Sequence, residues 1–333
     1  MQYCKTIPAF IRDLALTDRM QRLRKVGMNC GCEYTSWPLF KALKPYSRFE
    51  HSLGAALIVW NFTGSVKQSV AALFHDIGTP CFAHSIDFML GDYKNQEATE
   101  AGTRSAIEQS SQIVSILEHL GLEVDQVCNC HIYPVADSPA PCLCADRLEY
   151  SLRNMVNYKV CGQKEAQLLY EDVVLTYNEY GFEEFAFRTF KSGQTFAFNA
   201  LRCSHVYACA EDRYTMQILS ELVAKAIEKN VVSEQDLYNL GEDVVTKRLA
   251  KDPVTGPMWR SFCNLHGTVT SDNVVLPYTA GNPGPWRKIC VKKRIIDPLV
   301  EGEGRLSELS PAFSDELDMF LEQSQDVWIC KAP

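Results

Sequence analysis

Apolar side chains recur at helical spacing through the first half of the chain. Near the N-terminus the i, i+3, i+4, i+7 positions are Ile7, Phe10, Ile11 and Leu14. Residues 66–74 form a further apolar segment, and residues 105–120 have the pattern of one amphipathic helix closed by Gly121. We therefore predict mainly helical structure as far as about residue 160.

The second half of the chain alternates between patterns. Residues 173–177 and 185–188 are rich in β-branched and aromatic side chains and flank the turn 178–181, which predicts a β-hairpin near 171–188. Helical spacing resumes over 194–229, and Ser233 is typical of an N-cap that begins another helix.

The C-terminal third is less regular. Residues 252–287 carry repeated prolines and glycines and predict an irregular segment, residues 288–296 predict a strand, and the acidic tail is loosely patterned. The predicted fold class is therefore mainly α: a helical core over residues 1–230 that includes the hairpin, and an α+β extension over 231–333 packed on that core.

Composition limits the class of protein and its partners. The 333 residues are 46% apolar and 22% charged, with a net charge of −8, so there is no global positive field to attract nucleic acid. No apolar run approaches the roughly 20 residues that span a bilayer, and the first residues lack the apolar stretch of a signal peptide. We expect a cytoplasmic protein with a small-molecule partner and no membrane partner, and nucleic acid is an unlikely partner.

Fourteen cysteines require a separate interpretation. Cys128-Asn-Cys130-His131 and Cys142-Leu-Cys144 could together form a second zinc site, but their C-x-C spacing is tighter than the usual C-x₂₋₄-C of structural zinc sites. A chain with a large core does not need a disulfide framework. Reduced thiols that act as small apolar fillers are the favoured interpretation.

Three separated sequence motifs, called words below, contain the candidate metal-binding residues. His51 lies in Arg-Phe-Glu-His-Ser-Leu-Gly, the doublet His75-Asp76 in Leu-Phe-His-Asp-Ile-Gly, and Asp146 in Ala-Asp-Arg-Leu-Glu-Tyr. Two imidazoles and two carboxylates form a mixed nitrogen and oxygen set that suits a divalent Mn, Fe, Ni, Co, Zn or Mg ion. We predict that these four residues bind one metal.

In that order the three words resemble the HD superfamily of metal-dependent phosphohydrolases, and most of all the branch that contains the deoxynucleoside triphosphate triphosphohydrolases. The resemblance extends over about residues 5–300 and is strong as far as Asn154. It implies a mainly helical fold with small antiparallel β elements. It also implies an HD-type hydrolase of EC class 3.1 that acts on a nucleotide or related phosphate ester, and it leaves a homo-oligomer open.

The same resemblance assigns substrate-binding residues. On a helix, Tyr150 and Asn154 follow Asp146 at i+4 and i+8 and so share its face. Tyr150 would pack against the sugar, and Asn154 stands where the family has an Asp for the sugar hydroxyl. Arg147 aligns with a phosphate-binding Lys, and Arg48 matches a phosphate-binding Arg.

Departures from the family word His-Asp-x-Gly-His-x-Pro-Phe-x-His bear on the reaction. Thr79 stands where the family has its second His, and Gln96 with Glu97 replaces a His-Glu pair. His84 remains, and Asp87 follows it, so we predict His84, Asp87 and Glu97 as catalytic residues. Thr and Gln do not donate protons as His does near neutral pH. A phosphomonoesterase, a phosphodiesterase or a nucleotide-sensing protein with little turnover therefore remain alternatives to triphosphate cleavage.

Three further groups of residues bear on the candidate site. We predict that Arg48, His84 and Arg147 form the anion-binding wall of the pocket. The dense basic run at 292–294 favours a solvated strand face. Three residues on a late helix loosely resemble a substrate-contacting segment, with structural packing at least as favoured: Arg202, His205 and Tyr207.

Overall fold

Helices dominate the computed structural model, which describes residues 1–92, 102–272 and 286–332. The first ten helices are α1 (Ala9–Ala15), α2 (Asp18–Arg22), α3 (Pro38–Lys41), α4 (Arg48–Thr63), α5 (Val66–Phe74), α6 (His84–Met89), α7 (Thr103–Glu108), α8 (Ser111–His119), α9 (Ala145–Asn157) and α10 (Gln163–Glu171). The later ones are α11 (Phe190–Tyr207), α12 (Ala210–Glu228), α13 (Glu234–Asn239), α14 (Glu242–Lys251), α15 (Thr255–Cys263), α16 (Leu306–Leu309) and α17 (Pro311–Glu322). The predicted fold class is confirmed.

Short strands form two small sheets. The strands are β1 (Val173–Tyr177), β2 (Glu183–Phe187), β3 (Thr268–Ser271), β4 (Arg287–Lys288), β5 (Leu299–Val300), β6 (Gly304–Arg305) and β7 (Trp328–Lys331). The first sheet has the order β1-β2-β5-β6, and the second has the order β3-β7-β4. β1 and β2 form the predicted antiparallel hairpin, and β5 adds to β2 in parallel, so the hairpin is bound to a distant segment of the chain.

The stretch 105–120, which was predicted as one helix, is divided in two, and so is the stretch 194–229, which was predicted to be helical. Ser110 accepts a hydrogen bond from the backbone N–H of Ile113 and begins α8, which separates it from α7. Cys209 accepts from the backbone N–H of Asp212 and begins α12 after α11 has ended. In both places a side chain satisfies a backbone donor that would otherwise continue the preceding helix.

The C-terminal predictions were wrong in detail. The segment 252–287, predicted to be irregular, contains α15 and β3, and the loosely patterned tail contains α17 and β7. The predicted strand 288–296 has only Lys288 in a strand. Its apolar residues are buried, but they do not pair with another strand, because side chains form hydrogen bonds with the backbone there. Arg213 donates to the Ile289 carbonyl at 2.6 Å, and the Val291 N–H donates to the Gln325 side chain at 2.6 Å.

Helix α4 lies at the centre of the N-terminal half and packs against both α5 and α9. Phe49 and Ala56 face one apolar cluster with α1, α5 and α8, while Ala55 and Ile58 face another with α9, α11 and the hairpin. Burying one such Ile or Phe side chain contributes about 1.5–3 kcal/mol. Both faces of α4 are therefore held, and residues in its first turns have fixed positions.

A third apolar cluster surrounds α12 and contains residues on both sides of position 230, such as Leu222 and Leu237. The division of the chain into a core and an extension at that position stays a prediction. Among the described residues, the helices are too short or too polar to cross a membrane.

A buried ion pair joins the two halves of the first sheet. Arg305 donates to both carboxylate oxygens of Glu184, at 2.5 and 2.8 Å, and to the Asp297 carbonyl at 3.0 Å. The side chains of Arg305 and Glu184 are 9% and 2% exposed. We predict that Arg305→Ala lowers the free energy of unfolding by about 3–5 kcal/mol, because a buried carboxylate loses its partner.

Chemical unfolding monitored by circular dichroism measures this change. The control is Lys225→Ala, which removes a surface ion pair with Glu228 and should cost no more than about 1 kcal/mol. Equal losses in the two variants would contradict the structural role given to Arg305.

Candidate metal centre

Three helices position the four predicted ligands. His51 lies in the first turns of α4, which begins with a capping box between Ser47 and Glu50. His75 is the C-cap of α5, and Asp76 follows it in the turn. Asp146 lies in the first turn of α9, where the helix dipole favours a negative charge. The side chains therefore come from helix ends that meet in one place.

The ligand atoms converge as one ion requires. The Nε2 atoms of His51 and His75 are 3.1 Å apart, and Asp146 Oδ1 lies 2.9 and 3.5 Å from them. Asp76 Oδ2 lies 3.4 Å from His75 Nε2 and 3.9 Å from His51 Nε2. Metal bonds of about 2.0–2.2 Å place neighbouring ligand atoms roughly 3.0–3.5 Å apart. The structure thus brings all four predicted ligands together. His51, His75 and Asp76 form a group that could hold a metal ion, and Asp146 Oδ1 lies within 3.5 Å of both imidazoles.

Hydrogen bonds to the other ring nitrogens orient the imidazoles. His75 Nδ1 faces the Ala72 carbonyl at 2.7 Å, and His51 Nδ1 faces Glu149 Oε2 at 2.7 Å. Both partners accept hydrogen bonds, so each Nδ1 carries the proton and each Nε2 points at the centre. Two nitrogen lone pairs at this distance repel each other unless a cation lies between them.

The carboxylates also require a cation. Arg48 and Thr79 donate to Asp76 Oδ1 at 2.7 and 2.8 Å, while Asp76 Oδ2 is buried without a hydrogen-bond partner. Burial lowers the pKa of His51, but hydrogen bonds and charge from Asp146 and Glu149 raise it to about 10. Negative charge at the centre is thus balanced either by a proton on the imidazole or by a metal ion. The residues fit a divalent cation.

Sequence reasoning missed the role of Glu149, which is 1% exposed. Besides His51, its carboxylate accepts from the hydroxyls of Tyr46 and Tyr3, and it lies 3.7 Å from Arg153. A carboxylate that fixes a ligand imidazole is a recurrent feature of metal sites. The sequence feature that could have identified Glu149 is its position three residues after Asp146 on the same helix.

A cavity of about 150 Å³ opens above the candidate ligands. Tyr150 and Asn154 line it as predicted from their spacing, and Tyr207 joins them. Asn154 donates to the Tyr207 hydroxyl at 2.8 Å, and the rings of Tyr150 and Tyr207 meet edge to face at 6.3 Å. These three residues form one polar and aromatic side of the cavity.

The predicted anion-binding wall is only partly assembled. Arg48 lines the cavity but is paired with Asp76, and His84 also lines the cavity. Arg147 is not among the cavity-lining residues of the described chain. Its guanidinium donates to the Cys142 carbonyl at 3.2 Å and lies 3.6 Å from Asp137 Oδ1. Its proposed contact with phosphate stays a prediction.

The basic run at 292–294 is divided rather than uniformly solvated. Lys292 and Arg294 line the cavity, whereas Lys293 Nζ donates to backbone carbonyls that include Phe320 at 2.7 Å. Arg294 Nη2 donates to His84 Nε2 at 3.0 Å. The interpretation as a solvated face missed this because the pocket side of the segment depends on long-range packing.

His84 connects the cavity to Asp87. Its Nδ1 lies 2.9 Å from Asp87 Oδ2, and its Nε2 accepts from Arg294, so the ring is neutral. Burial lowers the pKa of His84, and the charges of Arg294 and Arg48 add to this effect. Two of the three predicted catalytic residues, His84 and Asp87, are thus in contact.

Other predicted residues lie elsewhere. Glu97 and Gln96 fall outside the described residues. Arg202 donates to Asn199 at 3.2 Å, and His205 packs against the Phe320 ring at 4.7 Å. These two side chains make packing contacts, whereas Tyr207 reaches the cavity.

Parts of the chain are similar in sequence to known proteins. The chain matches no protein-family model. It is 25% identical over 207 residues to the uncharacterized protein YdhJ of Bacillus subtilis, which is 60% of each chain. It is 32% identical over 124 residues to the metal-dependent phosphohydrolase cns2 of Cordyceps militaris, covering 36% of this chain and 34% of the relative. The matched segments thus span less than two thirds of either relative.

Solved structures share the fold over almost the whole chain. A hypothetical protein from Aquifex aeolicus superposes with a TM-score of 0.62 at 18% identity, covering 98% of this chain and 93% of that protein. A phosphohydrolase from Bacteroides thetaiotaomicron superposes with a TM-score of 0.64 at 13% identity, covering 98% and 97%. At these identities the likeness establishes the fold.

The first prediction about the candidate site concerns its metal content. His75→Ala and Asp76→Ala each remove a donor atom that faces the centre, so both variants should lose most of the divalent metal that the wild-type protein retains. Elemental analysis of purified, desalted protein measures this. The control is His119→Ala, which changes an exposed histidine of α8 and should leave metal content unchanged. Full metal content in both ligand variants would disprove the assignment.

The second prediction concerns Asp212, which lines the cavity. Burial raises its pKa to about 7, although the Cys32 thiol and the charges of Arg294 and Arg213 lower it. The folded state therefore holds a proton that the unfolded chain releases, and stability falls as pH rises from about 4 to about 7. Asp212→Asn removes this loss, so its melting temperature relative to wild type should be higher at pH 8 than at pH 4.5. An equal difference at both pH values would refute the shifted pKa.

Proposed function

We propose that this protein is an HD-type metal-dependent phosphohydrolase that acts on a nucleotide or related small phosphate ester. The observation that carries the proposal is the convergence of His51, His75, Asp76 and Asp146 at the base of a cavity whose wall includes Arg294. The similarity to the metal-dependent phosphohydrolase of Cordyceps and to the phosphohydrolase structure from Bacteroides gives further support.

The cavity residues would have complementary roles in such a reaction. A bound divalent cation would polarise a phosphoryl oxygen and activate water. Arg294 and Lys292 would hold the phosphate oxygens by charge-assisted hydrogen bonds. When Arg294 turns from His84 to the phosphate, it releases His84 Nε2 to exchange a proton with the reacting group, while Asp87 fixes the ring through Nδ1.

The aromatic side of the cavity suits the organic part of a substrate. Tyr150 and Tyr207 offer ring faces and hydroxyls, and Asn154 Oδ1 is buried without a hydrogen-bond partner. An amide oxygen of this kind accepts from a hydroxyl, which suits a sugar. We propose that the sugar of a nucleotide lies on this side with its phosphate towards Arg294.

Thr79 favours a second candidate activity within the same class. Its hydroxyl donates to Asp76 at 2.8 Å, so it positions a predicted ligand instead of acting on a leaving group. Cleavage of a triphosphate from a deoxynucleoside is the finer proposal that the family resemblance suggests. Hydrolysis of a phosphomonoester or phosphodiester, with His84 as the sole cavity histidine outside the ligand set among the described residues, is the alternative.

A product analysis tests the proposal and separates these activities. Protein stripped with chelator and reloaded with Mn²⁺ is incubated with nucleoside mono-, di- and triphosphates and with cyclic nucleotides. Release of inorganic triphosphate identifies the first activity, and release of phosphate or ring opening identifies the second. His75→Ala should abolish either one. Thermal stabilisation by nucleotides without any product would instead identify a sensor and refute the enzyme.

The third prediction tests whether Arg294 contacts the substrate in the cavity. Arg294→Ala removes a charge-assisted contact worth about 1.5–3 kcal/mol, so kcat/KM should fall by roughly tenfold or more while the metal stays bound. Arg202→Ala, which changes an exposed arginine of α11, is the matched control and should retain activity. Equal activity in both variants would remove Arg294 from the substrate site.

A further inference from the structure

A second group of metal-binding side chains lies beside the cavity. Cys130 Sγ, one imidazole nitrogen of His131 and one carboxylate oxygen of Asp137 all lie within 4.8 Å of one another. His131 Nδ1 and Asp137 Oδ2 are 3.1 Å apart. Cys, His and Asp are the three residue types that commonly bind zinc in proteins.

We propose that Cys130, His131 and Asp137 bind a second cation, for which Zn²⁺ is the preferred ion. A thiolate and a carboxylate supply two negative charges, which balance the charge of the ion. The sulfur ligand favours Zn²⁺ over Mg²⁺ or Mn²⁺, whereas the centre at His51 offers only nitrogen and oxygen. Binding requires the thiol to release its proton to solvent.

Two consecutive turns build the site locally. Residues Cys130–Ile132 form a 3₁₀ turn that begins at Asn129, whose side chain accepts from the His131 N–H at 3.0 Å. The chain then reverses at Tyr133, whose carbonyl accepts from the Asp137 N–H at 3.1 Å. These turns bring the carboxylate of Asp137 close to Cys130 and His131.

Long-range hydrogen bonds fix these turns relative to the first centre. The N–H of Ala145 donates to the Val135 carbonyl at 2.8 Å, and the N–H of Asp146 donates to the Ala136 carbonyl at 3.2 Å. Tetrahedral zinc bonds of about 2.0–2.3 Å place ligand atoms roughly 3.3–3.8 Å apart. The His131 and Asp137 atoms are 3.1 Å apart, close to that range, and Cys130 Sγ lies within 4.8 Å of the ligand atoms of both.

Asp137 can serve this site because its oxygens have different neighbours. Oδ1 lies 3.6 Å from Arg147 Nη1 and 3.5 Å from the Cys144 thiol, while Oδ2 faces His131. Cys130 belongs to the cluster with His131 and is partly exposed, whereas the thiol of Cys144 is buried and faces Asp137 Oδ1. The half-exposed side chain of His131 leaves room for water as a fourth ligand.

Cobalt spectroscopy of the purified protein tests the proposal independently of any hydrolase activity. Co²⁺ added to chelator-stripped protein should give a near-ultraviolet thiolate-to-cobalt charge-transfer band, which the sulfur-free centre at His51 cannot produce. Zn²⁺ should remove the band by displacement. The band should vanish in Cys130→Ser, persist in His75→Ala and persist in Cys128→Ser, which changes a neighbouring cysteine outside the cluster.

A second variant keeps the test decisive if Cys130→Ser does not fold. His131 is 55% exposed, so His131→Ala should keep the metal-free melting temperature and weaken Co²⁺ binding at this site by more than about tenfold. A wild-type protein without the band would show that His131 and Asp137 form an ion pair only. A band that survives Cys130→Ser, or that Cys144→Ser removes instead, would overturn the assignment as well.

Discussion

Buried negative charge without a full set of partners is the constraint on which the candidate site depends. Asp76, Asp146 and Glu149 converge on two imidazoles, and Asp76 Oδ2 is buried without a hydrogen bond. Arg48 and Thr79 pair the other oxygen of Asp76, but a buried acceptor atom without a partner costs free energy. A metal ion in contact with that oxygen and with both Nε2 atoms would offset this cost, and a proton on the imidazole of His51 balances part of the charge. The buried negative charge thus destabilises the metal-free site, and a bound metal ion would remove this destabilisation.

Close packing of α4 against α9 makes this convergence possible. A Cβ on Gly54 would lie 2.6 Å from the side chain of Glu149, so the absence of a side chain there lets the carboxylate reach His51. The capping box at Ser47 fixes where α4 begins, which fixes the turn that carries His51. Apolar packing on both faces of α4 then holds this geometry.

The cavity combines contributions from distant parts of the chain. Its base comes from residues before position 147, whereas Tyr207, Asp212 and Arg294 come from much later segments. Arg294 reaches His84 because the segment around Ile289 is anchored by side-chain hydrogen bonds and does not form a strand. The shape and charge of the cavity therefore depend on how the C-terminal third packs onto the helices.

The sequence by itself determined the helical class, the hairpin and the four candidate ligands, because helical periodicity and the three words around His51, His75 and Asp146 are local signals. It did not determine the division of 105–120 and 194–229 into two helices each, since side-chain caps compete closely with helix continuation. Only the tertiary structure decided that Arg147 turns to Asp137 while Arg294 faces the cavity. Long flexible cations take the partner that packing places within reach. For Arg147 that partner is ten positions away in the chain, whereas for Arg294 it is His84, 210 positions away.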